Sequence, residues 1–229
     1  MKINSYLAAA QAHIVCMRDI QWEDATTDAY HGGLSDAQFE WLKADLANVP
    51  KDRKVILCIH IPLISCKDNL NASNVAALIA QYKDATVFSG HTHFKRGYAG
   101  VKSTAMYEHV HAAVCGTGWW SSVESDGCPN GYTVYRINGT EIADEYFIGT
   151  NAPMNTRSCQ MRVYRGNITT GGDYVKFKWP YSSGTILINI FNGDSRWKKV
   201  EVRATDPYGR VYTCNEIVEN GLEYPSYLY

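Results

Sequence analysis

Three strand-length apolar stretches alternate with two stretches of helical spacing, and that alternation limits the folds open to this chain. Residues 12 to 19 begin with a buried-strand pattern, AHIVCM. Ser35 then stands as a good N-cap with Asp36 in the first turn, and Phe39, Trp41, Leu42 and Leu46 form a helical stripe behind it. KVILCIH is a nearly continuous apolar strand that ends on His60 and is stopped by Pro62. Val75, Leu78, Ile79 and Tyr82 predict a second helix over residues 74 to 82, and DATVFSG is the next strand. The order β-α-β-α-β predicts an α/β layered fold with helices packed on a sheet. Residues 21 to 33 between the first strand and helix are polar and read as a loop.

Beyond residue 93 the pattern changes. HVHAAVCG, GYTVYRI and EIADEYFI are short strands, and Asn138-Gly139 within RINGTEI is a hairpin signal of the type I′ kind. Asn151-Ala152-Pro153 reads as a linker. After it come only strands: CQMRVYR, DYVKFKW, TILINIFN, KKVEVRAT and GRVYTC. The expected division is residues 1–150 for the α/β part and 151–229 for a small all-β domain.

Hydrophobic residues make up 45% of the 229, enough for a packed core, and the net charge of −1 argues against nucleic-acid binding or a basic membrane surface. No apolar run approaches the roughly 20 residues of a transmembrane segment. The opening MKINSYLAAAQAHIVC carries a lysine and a short apolar stretch, but Gln11 and His13 interrupt it and no cleavage site follows, so no export signal is expected. Seven cysteines without a C-x-x-C pair leave the redox compartment open.

The chemistry concentrates in FSGHTH, residues 88–93. Gly90 permits a turn past a strand end, and His91 and His93, two apart, can present both imidazoles to one point. His60 ends the preceding strand, and in open α/β sheets ligands gather at the carboxyl ends of strands. Imidazoles converging there are a natural metal site. A lone strand histidine such as His60 is more often a satisfied core residue; the Gly-His-Thr-His tetrad is what shifts the balance. Trp119 and Trp120 read as a substrate platform or as a wedge between domains, and Arg96 with Lys95 as a phosphate-steering pair or a solvated loop. Asp126 and Asn130 read as turn residues, and His109 and His111 as structural. No Ser-His-Asp set, P-loop or Gly-x-Ser-x-Gly elbow is visible.

GGLSDAQFEWLKADL, KVILCIHIPL and FSGHTH together resemble the calcineurin-like metallophosphoesterase family. CGTGWWSSVESDGCPNGYTVYRINGTEI is similar to bacterial members that carry a C-terminal β-domain. The resemblance implies a β-sandwich flanked by helices and a two-metal hydrolase of phosphoesters, with Zn, Mn or Fe as the cations. His60 and His91 would hold one metal and His93 the other. The substrate type stays open: nucleotide, phospholipid, sugar phosphate or phosphoprotein. Relatives of this kind are often exported.

The family also supplies Asp-x-His, Gly-Asp-x-x-Asp and Gly-Asn-His, and none of these occurs in the 229 residues. The chain therefore reads as the second half of a catalytic domain followed by the β-domain. Two divalent cations close together repel unless a carboxylate and a hydroxide lie between them, and three histidines bring no negative charge. The expectation is at most one weakly held cation on His60, His91 and His93. No general acid is identifiable. Uncovered strand edges suggest a homo-oligomer, swapped elements or a separately encoded N-terminal half. Two readings follow: a phosphoesterase that is incomplete alone, or a non-catalytic remnant acting as a binding module.

Overall fold

The structure is a computed structural model that describes residues 3–7, 11–24, 26, 28–115, 124, 126–165, 186–193, 196 and 202–214. It is a mixed α/β fold built on a six-stranded sheet. Strands β1 (Ile3–Leu7), β2 (Ala12–Cys16), β5 (Lys54–Cys58), β6 (Thr86–Ser89), β7 (Arg96–Ala99) and β8 (Tyr107–Val110) lie in the order β1-β2-β5-β6-β8-β7. The four central strands β2, β5, β6 and β8 are parallel, and β1 and β7 close the two edges antiparallel. All four central strands therefore end at one edge, and Asp19, His60, His91 and His111 follow those ends.

Helices α1 (Asp36–Leu46) and α2 (Ala72–Ile79) cover one face. The predicted cap is present: the Ser35 hydroxyl accepts from the Gln38 backbone N–H and the Gln38 side chain accepts from the Ser35 N–H, a capping box. Such a cap contributes about 1 kcal/mol to the helix. Leu42 and Leu46 of α1 and Val75, Ala76 and Ile79 of α2 share one core with Val15, Val55, Leu57 and Val87 of the sheet. The second helix begins and ends slightly earlier than its periodicity predicts. Asn71 takes a left-handed backbone, and its amide donates to the Leu34 carbonyl and Asp36, so it starts the helix while tying it to α1.

The other face is covered by a long ribbon of β9 (Gly131–Asn138) and β10 (Glu141–Gly149). Tyr135 stacks on Phe88 with ring centroids 4.6 Å apart. The hairpin falls where RINGTEI predicts, but shifted by one residue. Asn138 pairs with Glu141, so Gly139-Thr140 is the loop, and only Gly139 has a positive φ. That is the pattern of a type II′ turn rather than type I′. Thr140 then hydrogen-bonds Asp84 at 2.6 Å, which fastens the ribbon tip to the sheet.

Phe147, Cys128, Met154 and Phe191 form a second, smaller core. The Gln160 side-chain amide satisfies both the N–H and the C=O of Phe147 at 2.8 Å, acting as one more strand residue. Strand pairs β11 (Met161–Arg165) with β12 (Ile186–Ile190) and β13 (Val202–Thr205) with β14 (Val211–Cys214) continue the β-rich C-terminal part. The predicted strand DYVKFKW lies outside the described residues.

The polar stretch read as a loop contains an antiparallel pair, β3 (Ile20–Trp22) and β4 (Tyr30–Gly32). Each strand is three residues long, too short for alternation to show in the sequence.

Candidate metal centre

The sheet edge is built around two buried carboxylates. Asp19, 1% exposed, accepts from the backbone N–H groups of His60 at 2.9 Å and Ile61 at 2.8 Å. Glu108 on β8 is fully buried and accepts from the N–H groups of Leu63 at 2.7 Å and Ile64 at 3.1 Å and from the Ser89 hydroxyl at 2.8 Å. The turn after β5, which has Pro62 at its centre, is thus held by acceptors from β8 and from the end of β2. Burial lifts both carboxyl groups above their ordinary values, and the N–H donors of His60 and Ile61, and of Leu63 and Ile64, pull the other way.

His60 lies two residues past the end of β5 rather than inside it. Its carbonyl accepts from Gly90 N–H at 3.0 Å, which draws the two strand-end loops together. The His91 Nδ1 and His60 Nε2 atoms face each other at 3.2 Å, with ring centroids 5.0 Å apart. A tetrahedral cation bonded to imidazole nitrogen at about 2.0–2.1 Å spaces its ligands by roughly 3.3 Å, so this approach fits one shared ion. An N–H···N hydrogen bond gives a similar spacing. Partial burial and the neighbouring His60 and His93 hold the His91 imidazole below its usual pKa, which favours the neutral ring a cation needs. Among the described residues, no group of three or more His, Cys, Asp or Glu side chains is arranged to hold a metal ion.

Gly90 does not have a positive φ; His91 and His93 do, at +70° and +56°. Two non-glycine residues within three positions in the left-handed region store local strain, a feature that concentrates at functional sites. The segment that follows them is tied down by hydrogen bonds. Asp126 accepts from Lys95 N–H at 2.8 Å and from Cys128 N–H at 2.9 Å, so it both forms its own turn and pins the loop leaving His93.

Behind the loop, on the ribbon face, His111 fixes the end of β6. Its backbone N–H at 2.8 Å and its Nδ1 at 2.9 Å both reach the Ser89 carbonyl. Its Nε2 accepts from the Tyr135 hydroxyl at 2.9 Å, which in turn accepts from Lys95 Nζ at 3.1 Å. This arrangement needs the neutral ring, and burial pushes the His111 pKa down to about 4. Because the folded value is depressed, the stabilisation is full above pH 6.5 and is lost as pH falls toward 4, on the order of 2–3 kcal/mol. Urea midpoints of the native chain should therefore fall between pH 7 and 4.5 more steeply than those of His111→Gln, which keeps a donor and an acceptor but cannot titrate. Parallel slopes would contradict the assignment. His109, 1% exposed, packs edge-on against Phe88 and Tyr135, in keeping with a structural role.

Arg96, read as a substrate contact, opens the edge strand β7, exposed, with its guanidinium 5.2 Å from the Tyr98 ring. Trp119 and Trp120 lie outside the described residues. Asp19, Glu108, Trp22 and Tyr30 were not singled out by sequence reasoning. The signal for Glu108 was available: a carboxylate inside the apolar strand MYEHV is buried only if it has partners.

A parallel sheet with facing imidazoles at its carboxyl edge defines an α/β protein with a strand-end histidine site. The model of the calcineurin-like phosphoesterase family matches residues 4–95, and the model of that family's C-terminal domain matches residues 108–199. The chain belongs to the calcineurin-like phosphoesterase family. No curated protein matches it. The family as a whole consists of phosphoester hydrolases that generally use divalent metals.

Proposed function

We propose that this chain contributes the histidine half of a metal-dependent phosphoester hydrolase centre. The observation that carries the reading is the 3.2 Å approach of the His60 and His91 nitrogens at the sheet edge. His60 and His91 would hold one divalent cation and His93 would serve the same centre. The cation supplies Lewis acidity toward a phosphoryl oxygen and a bound water of lowered pKa. The protein's own part is positional: Asp19 sets the His60 backbone, and Ser89, Asp126 and His111 set the loop that carries His91 and His93. Neither Asp-x-His nor Gly-Asp-x-x-Asp, the motifs that would bring a carboxylate to bridge a second cation, occurs in the sequence. The isolated chain should therefore hold one cation and show weak activity or none, with full activity requiring acidic ligands from another segment or chain.

The test pairs a chromogenic phosphodiester with a monoester, with Mn²⁺ or Zn²⁺ added. Any genuine hydrolysis should fall at least about a hundredfold in His91→Ala. Activity that survives that substitution would come from elsewhere and would overturn the reading.

A further inference from the structure

We infer that the β3–β4 hairpin forms a stacking shelf for a planar aromatic group attached to the phosphoester; this rests on the hydrolase reading of the same site. Trp22 and Tyr30 are direct cross-strand partners on one face of the hairpin. Their rings meet edge-to-face at 5.3 Å, and Tyr30 meets His91 edge-to-face at 5.9 Å. With the 5.0 Å contact of His91 to His60, four rings run in an unbroken line from the histidine pair outward. The line ends in exposed aromatic surface: Trp22 is 54% exposed and Tyr30 38%.

The shelf is held in place before any ligand arrives. From the opposite face of β3, Gln21 donates to the Gly33 carbonyl at 3.1 Å and to the Gln38 side chain at 2.9 Å. Gly33 N–H donates to the Asp19 carbonyl at 2.8 Å, so the residue that positions His60 also anchors the hairpin. Gly33 has φ +151°, and a Cβ there would sit 2.3 Å from Leu70 Cβ, so the anchor tolerates glycine alone.

A cross-strand aromatic pair needs no ligand to be useful, since it stabilises a hairpin. What that role leaves unexplained is its direction. The pair points along the sheet edge to the imidazole that would hold the cation, and it keeps an indole half exposed next to a polar site. A phosphoester engaging a cation held by His60 and His91 would bring the group it is esterified to beside Tyr30 and Trp22. Flat π-surfaces gain most there, and a nucleobase or an aryl group both supply one.

The experiment is calorimetric titration of the full chain, with Mn²⁺ present, using adenosine monophosphate, phenyl phosphate and ribose 5-phosphate. The two aromatic esters should bind about tenfold tighter than the sugar phosphate. Trp22→Ala should erase that advantage and leave ribose 5-phosphate unchanged, and Trp22→Tyr should keep most of it. A preference for adenosine monophosphate alone would identify a nucleobase; a preference shared with phenyl phosphate would identify any aryl group. Equal affinities in the native chain, or a ratio that Trp22→Ala does not alter, would overturn the shelf while leaving the hydrolase reading intact. No binding of any of the three would overturn both.

Discussion

Glu108→Ala should lower the stability of the chain by about 4 kcal/mol, one of the largest effects of any single substitution at the sheet edge. The carboxylate itself gains little. Burial lifts its pKa above the usual range even with three donors around it, so desolvation outweighs the hydrogen bonds it accepts. The cost arises on the donor side. Without Glu108 the N–H groups of Leu63 and Ile64 stay buried with no acceptor, at about 1–3 kcal/mol each, and the Ser89 hydroxyl loses its partner. The space left by the side chain adds a cavity term. For a chain of this size the melting temperature should drop by roughly 10 °C. Glu108→Gln should cost less, since one oxygen can still accept, although its NH2 meets a backbone donor. A Glu108→Ala chain within about 1 kcal/mol of the native one would show that the turn finds other acceptors.

Asp19→Ala should act on both stability and the candidate site. It removes the acceptor for His60 and Ile61 and should destabilise the fold by about 3 kcal/mol. It should also weaken cation binding by about ten- to a hundredfold, as loss of a group that orients a ligand does elsewhere. The two effects separate in Asp19→Asn, which keeps one acceptor oxygen and should fall between the native chain and Asp19→Ala in both measurements. Cation affinity unchanged in a folded Asp19→Ala chain would show that the His60 backbone needs no such support.

Much of this was legible in the sequence because the signals are local. Ser35 with Gln38 announces α1, and the apolar runs at 12–16, 54–58 and 86–89 announce the parallel strands. Gly-His-Thr-His marks the strand end that carries the candidate site. What stayed hidden depends on contacts distant in the chain. Asp19 meets His60 across 41 residues, and Glu108 meets Leu63 across 45. No periodicity records such a pair. The pairing of Trp22 with Tyr30 was missed because three-residue strands in a polar stretch carry no alternation. The position of strain was also unreadable: Gly90 is the residue built for a positive φ, yet the fold places that conformation on His91 and His93.

One cation shared by His60 and His91 is the step on which the proposed chemistry depends. Zinc titration of the metal-stripped full chain, with bound metal counted by elemental analysis after dialysis, tests that sharing. The native chain should retain one equivalent and His60→Ala or His91→Ala none, with circular dichroism showing both variants folded. Two equivalents in the native chain, or undiminished binding when both histidines are replaced, would contradict it.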